Sequence, residues 1–249
     1  MPLGHSFFTA RRPQVFAHRG GSGPAPENTI AAFDRGLTLG ADGLELDAHL
    51  SRDGVVVVHH DRTLDRTTRL TGPIAARTAG ELARADVPTL ADVLARYPEV
   101  PVIVELKVNQ VDLARAAVAA VQRAGAVDRV CLGSFGLRVL REARRIEPAL
   151  ATSAAREEVR WALYRSWCRW PVTRPAYSGF QVPERSGGTR VVSRRFIADA
   201  HAAGLGVQVW TVDTEADAGR LLDWGVDALI TDRPDLVVPF VRSRAAARG

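Results

Sequence analysis

The chain has 249 residues, 46% of them hydrophobic, which is enough for one large core, and a single domain is expected. It holds no run of about 18 apolar residues, which excludes a bilayer-spanning helix, and Met1–Gln14 shows no leader-like apolar stretch, so a cytoplasmic protein is expected. The net charge of +5 favours anionic partners, yet no aromatic-basic recognition motif accompanies it and no nucleic-acid partner is expected.

In chain order, the residue pattern predicts a strand over Val15–His18, a helix over Thr29–Leu39, and strands over Gly43–Ala48 and Val55–His59. Asp61–Pro88 is longer than an ordinary strand-to-helix connection and reads as a small excursion on the rim. Helix Leu90–Tyr97 follows, then strand Val102–Lys107, helix Asp112–Ala124, strand Arg129–Gly133, helix Leu137–Ile146, strand Leu150–Ser153 and helix Glu157–Trp170. Strand Ser178–Val182, helix Ser193–Ala203, strand Gly206–Val212, helix Thr214–Trp224, strand Ala228–Thr231 and helix Asp235–Val241 complete the alternation. Pro and Gly clusters at Gly20–Pro26, Thr71–Pro73 and Pro183–Gly188 mark loops, and Arg242–Gly249 reads as a frayed basic tail. Setting Val55–His59 aside, eight strand–helix pairs remain. That number in this length points to a closed (β/α)8 TIM barrel with a small insertion after the second strand, the alternative being an open doubly wound sheet. Cys131 and Cys168 have neither metal-site spacing nor the density of a disulfide scaffold and are read as free thiols.

Unusual polar residues gather at the C-terminal ends of these strands: His18 and Arg19, Glu45 and Asp47, Glu105 and Lys107, Ser134, Trp210 and Asp232. In a barrel of this kind that rim carries the active site. Strand side chains alternate, so Glu45 and Asp47 share a face, as do Glu105 and Lys107, while Leu44, Leu46, Val104 and Leu106 face the helices. Three carboxylates brought into one mouth need a counter-charge. A hard divalent cation, Mg2+ or Ca2+, meets that need; a buried ionic layer with Lys107 and nearby arginines is the other solution. Lys107 is the only lysine among 33 basic side chains, which singles it out where arginine is used everywhere else. His18 sits in His-Arg-Gly-Gly, where glycines allow close approach and Arg19 offers a fork for phosphate oxygens. His60 follows the Val55–His59 run, and two imidazoles at one phosphate would supply a general acid and a general base. His59 lies on the opposite side of that strand, so one of the two faces the site.

The runs His18-Arg19-Gly20, Pro26-Glu27-Asn28-Thr29, Glu45-Leu46-Asp47, Asp53-Gly54 leading to His60-Asp61, Asp65-Arg66-Thr67-Thr68, Glu105-Leu106-Lys107, Trp210-Thr211-Val212 and Thr231-Asp232 resemble the glycerophosphodiester phosphodiesterase family in its usual order. The likeness covers about residues 15 to 235, with a weak middle from about 135 to 190. It implies a metal barrel that hydrolyses small-molecule glycerophosphodiesters, such as glycerophosphocholine or glycerophosphoethanolamine, to glycerol 3-phosphate and an alcohol. It assigns His18 and His60 as the acid/base pair and Glu45, Asp47 and Glu105 as metal ligands. Arg19, Glu27, Asn28, Lys107, Ser134 and Trp210 would hold the substrate. The departures are Asp213 after Trp-Thr-Val, Ala48 after Asp47 and the doubled His59, none at an implied ligand. Sphingomyelinase D-like or lysophospholipase D-type lipid cleavage, and a barrel that binds without catalysis, are the rival readings.

The weak middle carries Trp161, Tyr164, Trp167 and Trp170 among Arg156, Arg160, Arg165, Arg169 and Arg174. Aromatics at threes on a basic helix fit weak contact with an anionic membrane, or packing on neighbouring helices or a second copy.

Overall fold

The computed structural model describes residues 5–8, 13–21, 23–170 and 175–246. Ser22 of the loop expected after the first strand, Arg174, and residues 247–249 of the expected tail lie outside them. The elements are β1 (Gln14–His18), α1 (Ile30–Thr38), β2 (Gly43–Leu50), β3 (Val56–Val58), α2 (Ala79–Ala83), α3 (Leu90–Arg96), β4 (Val102–Leu106), α4 (Val111–Arg123), β5 (Val130–Gly133) and α5 (Leu137–Ile146). They continue with β6 (Ala151–Thr152), α6 (Arg156–Trp167), β7 (Gly179–Pro183), β8 (Arg185–Ser186), β9 (Thr189–Arg190), α7 (Arg194–Ala202), β10 (Gly206–Trp210), α8 (Glu215–Trp224), β11 (Ala228–Thr231) and α9 (Pro234–Ala246).

Parallel pairing runs β6-β5-β4-β2-β1-β11-β10-β7. The two ends meet at the parallel bridge of Ser153 with Gly179, where the Ala154 N–H donates to the Gly179 carbonyl at 2.9 Å. The ring is therefore a (β/α)8 barrel, and the open sheet is excluded. Strand β2 shows why: Leu44, Leu46 and Ala48 are fully buried against the helix layer, while the residues between them turn inward. Each such fully buried Leu or Val contributes roughly 1.5–3 kcal/mol relative to exposure. Helices α1, α2, α3, α7 and α8 start on Thr29, Thr78, Thr89, Ser193 and Thr214, whose hydroxyls accept an orphan amide of the first turn.

The opposite end is stoppered by the 3-10 turn Ser6–Phe8: Phe7 stacks on Phe16 at 5.9 Å between ring centres, and Phe8 fills the space beside Gly179 and Gly206. A Cβ at those two glycines would lie 2.5 and 2.8 Å from Phe8, so only glycine fits under the plug. Strand β3 pairs antiparallel with β2, Ala48 opposite Val58, and carries the chain back to the mouth at His59 and His60. Between β3 and α3, the excursion buries its own apolar cluster of Val57, Leu64, Ile74, Leu82 and Val87.

Two expectations are corrected. The tail does not fray from Arg242: α9 continues to Ala246 because Arg242 is held by Asp42 at 2.8 Å and Arg244 by Asp223. The aromatics of α6 do not pack on neighbouring helices, since its buried side is Ala162, Leu163 and Ser166 and its rings lie outside.

Candidate active site

Strand register decides which side chains meet. His18 is level with Glu45 across β1 and β2, and Asp47 is level with Glu105 across β2 and β4. Strands lie about 4.8 Å apart, so in-register side chains on one face become neighbours. Carboxylate oxygens of Glu45, Asp47 and Glu105 accordingly lie within 4.8 Å of one another, close enough to share one metal ion. Asn28 fixes the middle acid: its Nδ2 donates to Asp47 Oδ2 at 2.8 Å, and its Oδ1 accepts the Asp47 N–H at 3.2 Å. Both Arg19 and Asn28 adopt left-handed backbone, at φ 53° and 60°, which side-chain-bearing residues tolerate where the surroundings over-determine them. Those surroundings include two bonds from the Arg19 N–H, to the Glu45 carbonyl at 2.9 Å and to Glu45 Oε2 at 3.2 Å.

Fixed cations reach only part of the cluster. Lys107 Nζ lies 3.3 Å from both Asp47 Oδ1 and Glu105 Oε2, and Arg19 Nε lies 3.1 Å from Asp47 Oδ2. Two fixed cations thus face three carboxylates. Asp47 Oδ1 and Glu105 Oε1 are buried and accept no hydrogen bond. Burial favours the neutral acid at Asp47, but Lys107 and Arg19 outweigh it and hold its carboxyl below the usual range. Glu45 has no such cation in contact: burial, then repulsion from Asp47, pushes its carboxyl well above the usual range. An ionic layer is present, and it reaches Asp47 and Glu105 but not Glu45, whose charged neighbour is the His18 imidazole.

Each imidazole is oriented by a carboxylate at Nδ1. His18 Nδ1 lies 2.8 Å from Asp232 Oδ1, and its Nε2 lies 3.8 Å from Glu45 Oε2. Burial opposes charge on this ring, but Glu45 and the Asp232 bond prevail and raise its pKa to about 8. His60 Nδ1 lies 2.6 Å from Asp61 Oδ1, and Asp61 Oδ2 accepts from Arg66 Nε at 2.6 Å. Arg66 Nη2 also donates to Glu27 Oε1, which accepts from Arg19 Nη1 at 3.1 Å, so the excursion is tied back to the first βα loop. His49 Nε2 contacts the His60 carbonyl at 3.1 Å, and His59 turns away to Thr67 Oγ1 at 3.0 Å.

His18, Arg19, Glu45, His60, Glu105 and Lys107 line one wall of a cavity of about 610 Å³, and Phe135, Val182, Val191 and Trp210 line the other. Phe135 and Trp210 meet edge-to-face at 6.1 Å. Three residues expected at the substrate are engaged with the protein itself. Asn28 spends its amide on Asp47, and Glu27 bridges Arg19 and Arg66. The Ser134 hydroxyl donates to the Leu106 carbonyl at 2.7 Å and accepts the Gly136 N–H, although Ser134 borders the cavity. Asp232 and Asp61 had no role in the sequence reading as partners of the histidines. Adjacency to His60 was the available signal for Asp61. For Asp232 it was barrel closure, which sets β11 beside β1 with Thr231 level with Ala17.

The sequence profile of the Glycerophosphoryl diester phosphodiesterase family matches residues 18–236. The chain belongs to this family. A Glycerophosphodiester phosphodiesterase of Caldanaerobacter subterraneus subsp. tengcongensis is 31% identical over 251 residues, covering 92% of this chain and 97% of that protein. Among solved structures, the glycerophosphodiester phosphodiesterase of Agrobacterium tumefaciens str. C58 superposes with a TM-score of 0.73 at 29% identity, covering 93% of this chain and 99% of that one. An Oleispira antarctica phosphodiesterase, in complex with the product sn-glycerol-3-phosphate, superposes with a TM-score of 0.74 at 27% identity, covering 93% and 97%. As a member of the family, this chain has its polar cluster where a barrel enzyme works, at the C-terminal rim.

Proposed function

We propose that this protein hydrolyses glycerophosphodiesters such as glycerophosphocholine or glycerophosphoethanolamine to glycerol 3-phosphate and the head-group alcohol, using a divalent cation held by Glu45, Asp47 and Glu105. The observation that carries this reading is a cavity lined by Glu45, Glu105 and two imidazoles, each braced at Nδ1, with the buried Asp47 clustered against both of those acids. The donor set fits Mg2+ or Ca2+: all candidate ligands are oxygens, the acids outnumber the lysine and arginine in contact with them, and two buried carboxylate oxygens have no hydrogen bond. A cation bound there supplies Lewis-acid polarisation of the phosphoryl group.

The remaining steps belong to side chains. Lys107, and Arg19 once drawn from Asp47, offset charge on the non-bridging phosphate oxygens. With Nδ1 bonded to a carboxylate, Nε2 of each imidazole is the atom left to exchange a proton in the cavity. One histidine takes the proton of the attacking hydroxyl, from water or from the substrate's own glycerol. The other delivers a proton to the oxygen of the leaving alcohol as the P–O bond breaks. Asp61, held far below the usual carboxylate range first by its bond from Arg66, stays anionic and stabilises the imidazolium of His60. The reading is tested by incubating the purified protein with glycerophosphocholine and added Mg2+ or Ca2+. Release of glycerol 3-phosphate that stops on chelation is expected; no release with either metal, or release untouched by chelator, overturns it.

A further inference from the structure

Of the five tryptophans, Trp161, Trp167 and Trp170 are 68%, 57% and 72% exposed, and Tyr164 is 51% exposed. Large rings are normally well buried, so four of them exposed within ten residues, three in mutual contact, mark an interaction surface. Three of them form a ladder along α6: Trp161 meets Tyr164 at 6.4 Å and Tyr164 meets Trp167 at 5.6 Å, both edge-to-face. The ladder stands among the exposed cations Arg156, Arg160 and Arg169. Glu157 is the exposed acid on that helix, and Glu158 is neutralised by Arg144 at 2.7 Å, so the surface is basic. Rings with one apolar body and one polar edge, interleaved with guanidinium groups, match the layer where acyl chains meet anionic headgroups.

The same helix is also part of the catalytic cavity. Arg156, Val159, Arg160 and Leu163 line it from α6, and Arg156 stacks over Phe135 at 5.0 Å, beside Trp210. A bilayer under the ladder therefore lies at the mouth. The wall on this side, with Val159, Leu163, Val182 and Val191, offers hydrocarbon where a phosphate or choline group has no use for it.

We propose that α6 seats the protein on an anionic bilayer and that the cavity takes single-chain glycerophospholipids from it, their acyl chain against the apolar wall. This deepens the proposed hydrolysis and rests on it. Water adds to phosphorus, the P–O bond to the headgroup breaks, and the water proton reaches the departing alkoxide through the histidine pair, leaving a monoacyl glycerol phosphate.

The test uses the full chain with phosphatidylcholine vesicles, with and without phosphatidylglycerol. Co-sedimentation with the anionic vesicles, weakened by salt, is expected. The double substitution Trp161→Ser and Trp167→Ser is expected to weaken that binding by about 10-fold or more. It should slow cleavage of vesicle-borne lysophosphatidylglycerol while leaving turnover of soluble glycerophosphocholine unchanged, since neither residue lines the cavity. Wild-type protein that stays in the supernatant with anionic vesicles overturns the proposal, as does a variant that binds like wild type. A concentration-dependent dimer that Trp161→Ser disrupts assigns the ladder to a second copy instead and also overturns it. Vesicle binding without hydrolysis of either substrate sinks the proposed reaction and leaves the docking surface standing.

Discussion

From β1 to β4 the mouth of the barrel gathers its acids, imidazoles and lysine, whereas from β5 to β10 its lining is aromatic rings, hydrocarbon and uncharged polar groups, with Arg156 and Arg160 of α6 its charged members. On the charged side nearly every functional group is pinned by a neighbour: Asp47 by Asn28, His18 by Asp232, His60 by Asp61 and Asp61 by Arg66. On the apolar side Phe135 is 47% exposed, and Trp210 is held by ring and hydrocarbon contacts, edge-to-face with Phe135 and against the inner apolar cluster that includes Ile103 and Ile230. The contrast separates two tasks. Reaction at phosphorus demands atoms fixed to fractions of an ångström, while accommodating whatever is esterified to the phosphate demands a tolerant surface.

The sharpest way to break this division is at the histidines. His18→Ala and His60→Ala are each expected to cut turnover by about 10²-fold or more with the circular dichroism spectrum unchanged. Near-normal turnover in either variant removes that ring from proton transfer. A smaller effect is expected at Asn28→Ala, which frees Asp47. Divalent-cation affinity, read by titration calorimetry, should fall by about 10- to 100-fold, and turnover should recover at saturating metal. On the other wall, Trp210→Ala is expected to raise KM by about 5-fold with kcat little changed, an aromatic contact being lost from ground and transition states alike. A matching fall in kcat would place Trp210 with the chemistry.

The smallest effect is a pH dependence. Burial and the neighbouring Asp47 raise the folded-state pKa of Glu45, and Glu45 with Asp232 raises that of His18 to about 8 against burial. Both groups hold protons more tightly when folded, so stability of the metal-free protein falls as pH rises from about 4.5, where an unfolded glutamate ionises, through about 8. A cation bound by the proposed ligand set would need the Glu45 carboxylate and would displace that proton. The gain in Tm on adding Mg2+ or Ca2+ should therefore be greater at the upper end of this window than at the lower. An equal gain at both ends would show that Glu45 is not a ligand.

Much of the charged wall was legible because its determinants are local. Glu-x-Asp and Glu-x-Lys at strand ends state their own facing through the two-residue period, and alternation of strands with helices implies the ring. What stayed hidden depends on contacts distant in sequence. The partnership of His18 with Asp232 spans 214 positions and follows only from closure. The side-chain reach of Asn28 to Asp47 likewise cannot be read from Pro-Glu-Asn-Thr, and so Asn28 was expected at the substrate. The direction of β3, antiparallel on β2, follows from a tight return at Ser51–Val55 that the apolar run does not announce. The Phe7–Phe8 stopper gave no signal either, because two aromatics near the start of a chain have no period to read.

The seam between β6 and β7 has a consequence for ligand size. With β6 only two residues long and a single bridge across to Gly179, this stave is fastened far more lightly than the five-residue ladder joining β7 to β10. Local opening begins where backbone bonds are fewest. The seam beside α6 is thus where the ring would loosen first, which for the proposed lipid substrate would be the side facing its chain, while the strands bearing the three acids stand on the far side of the ring.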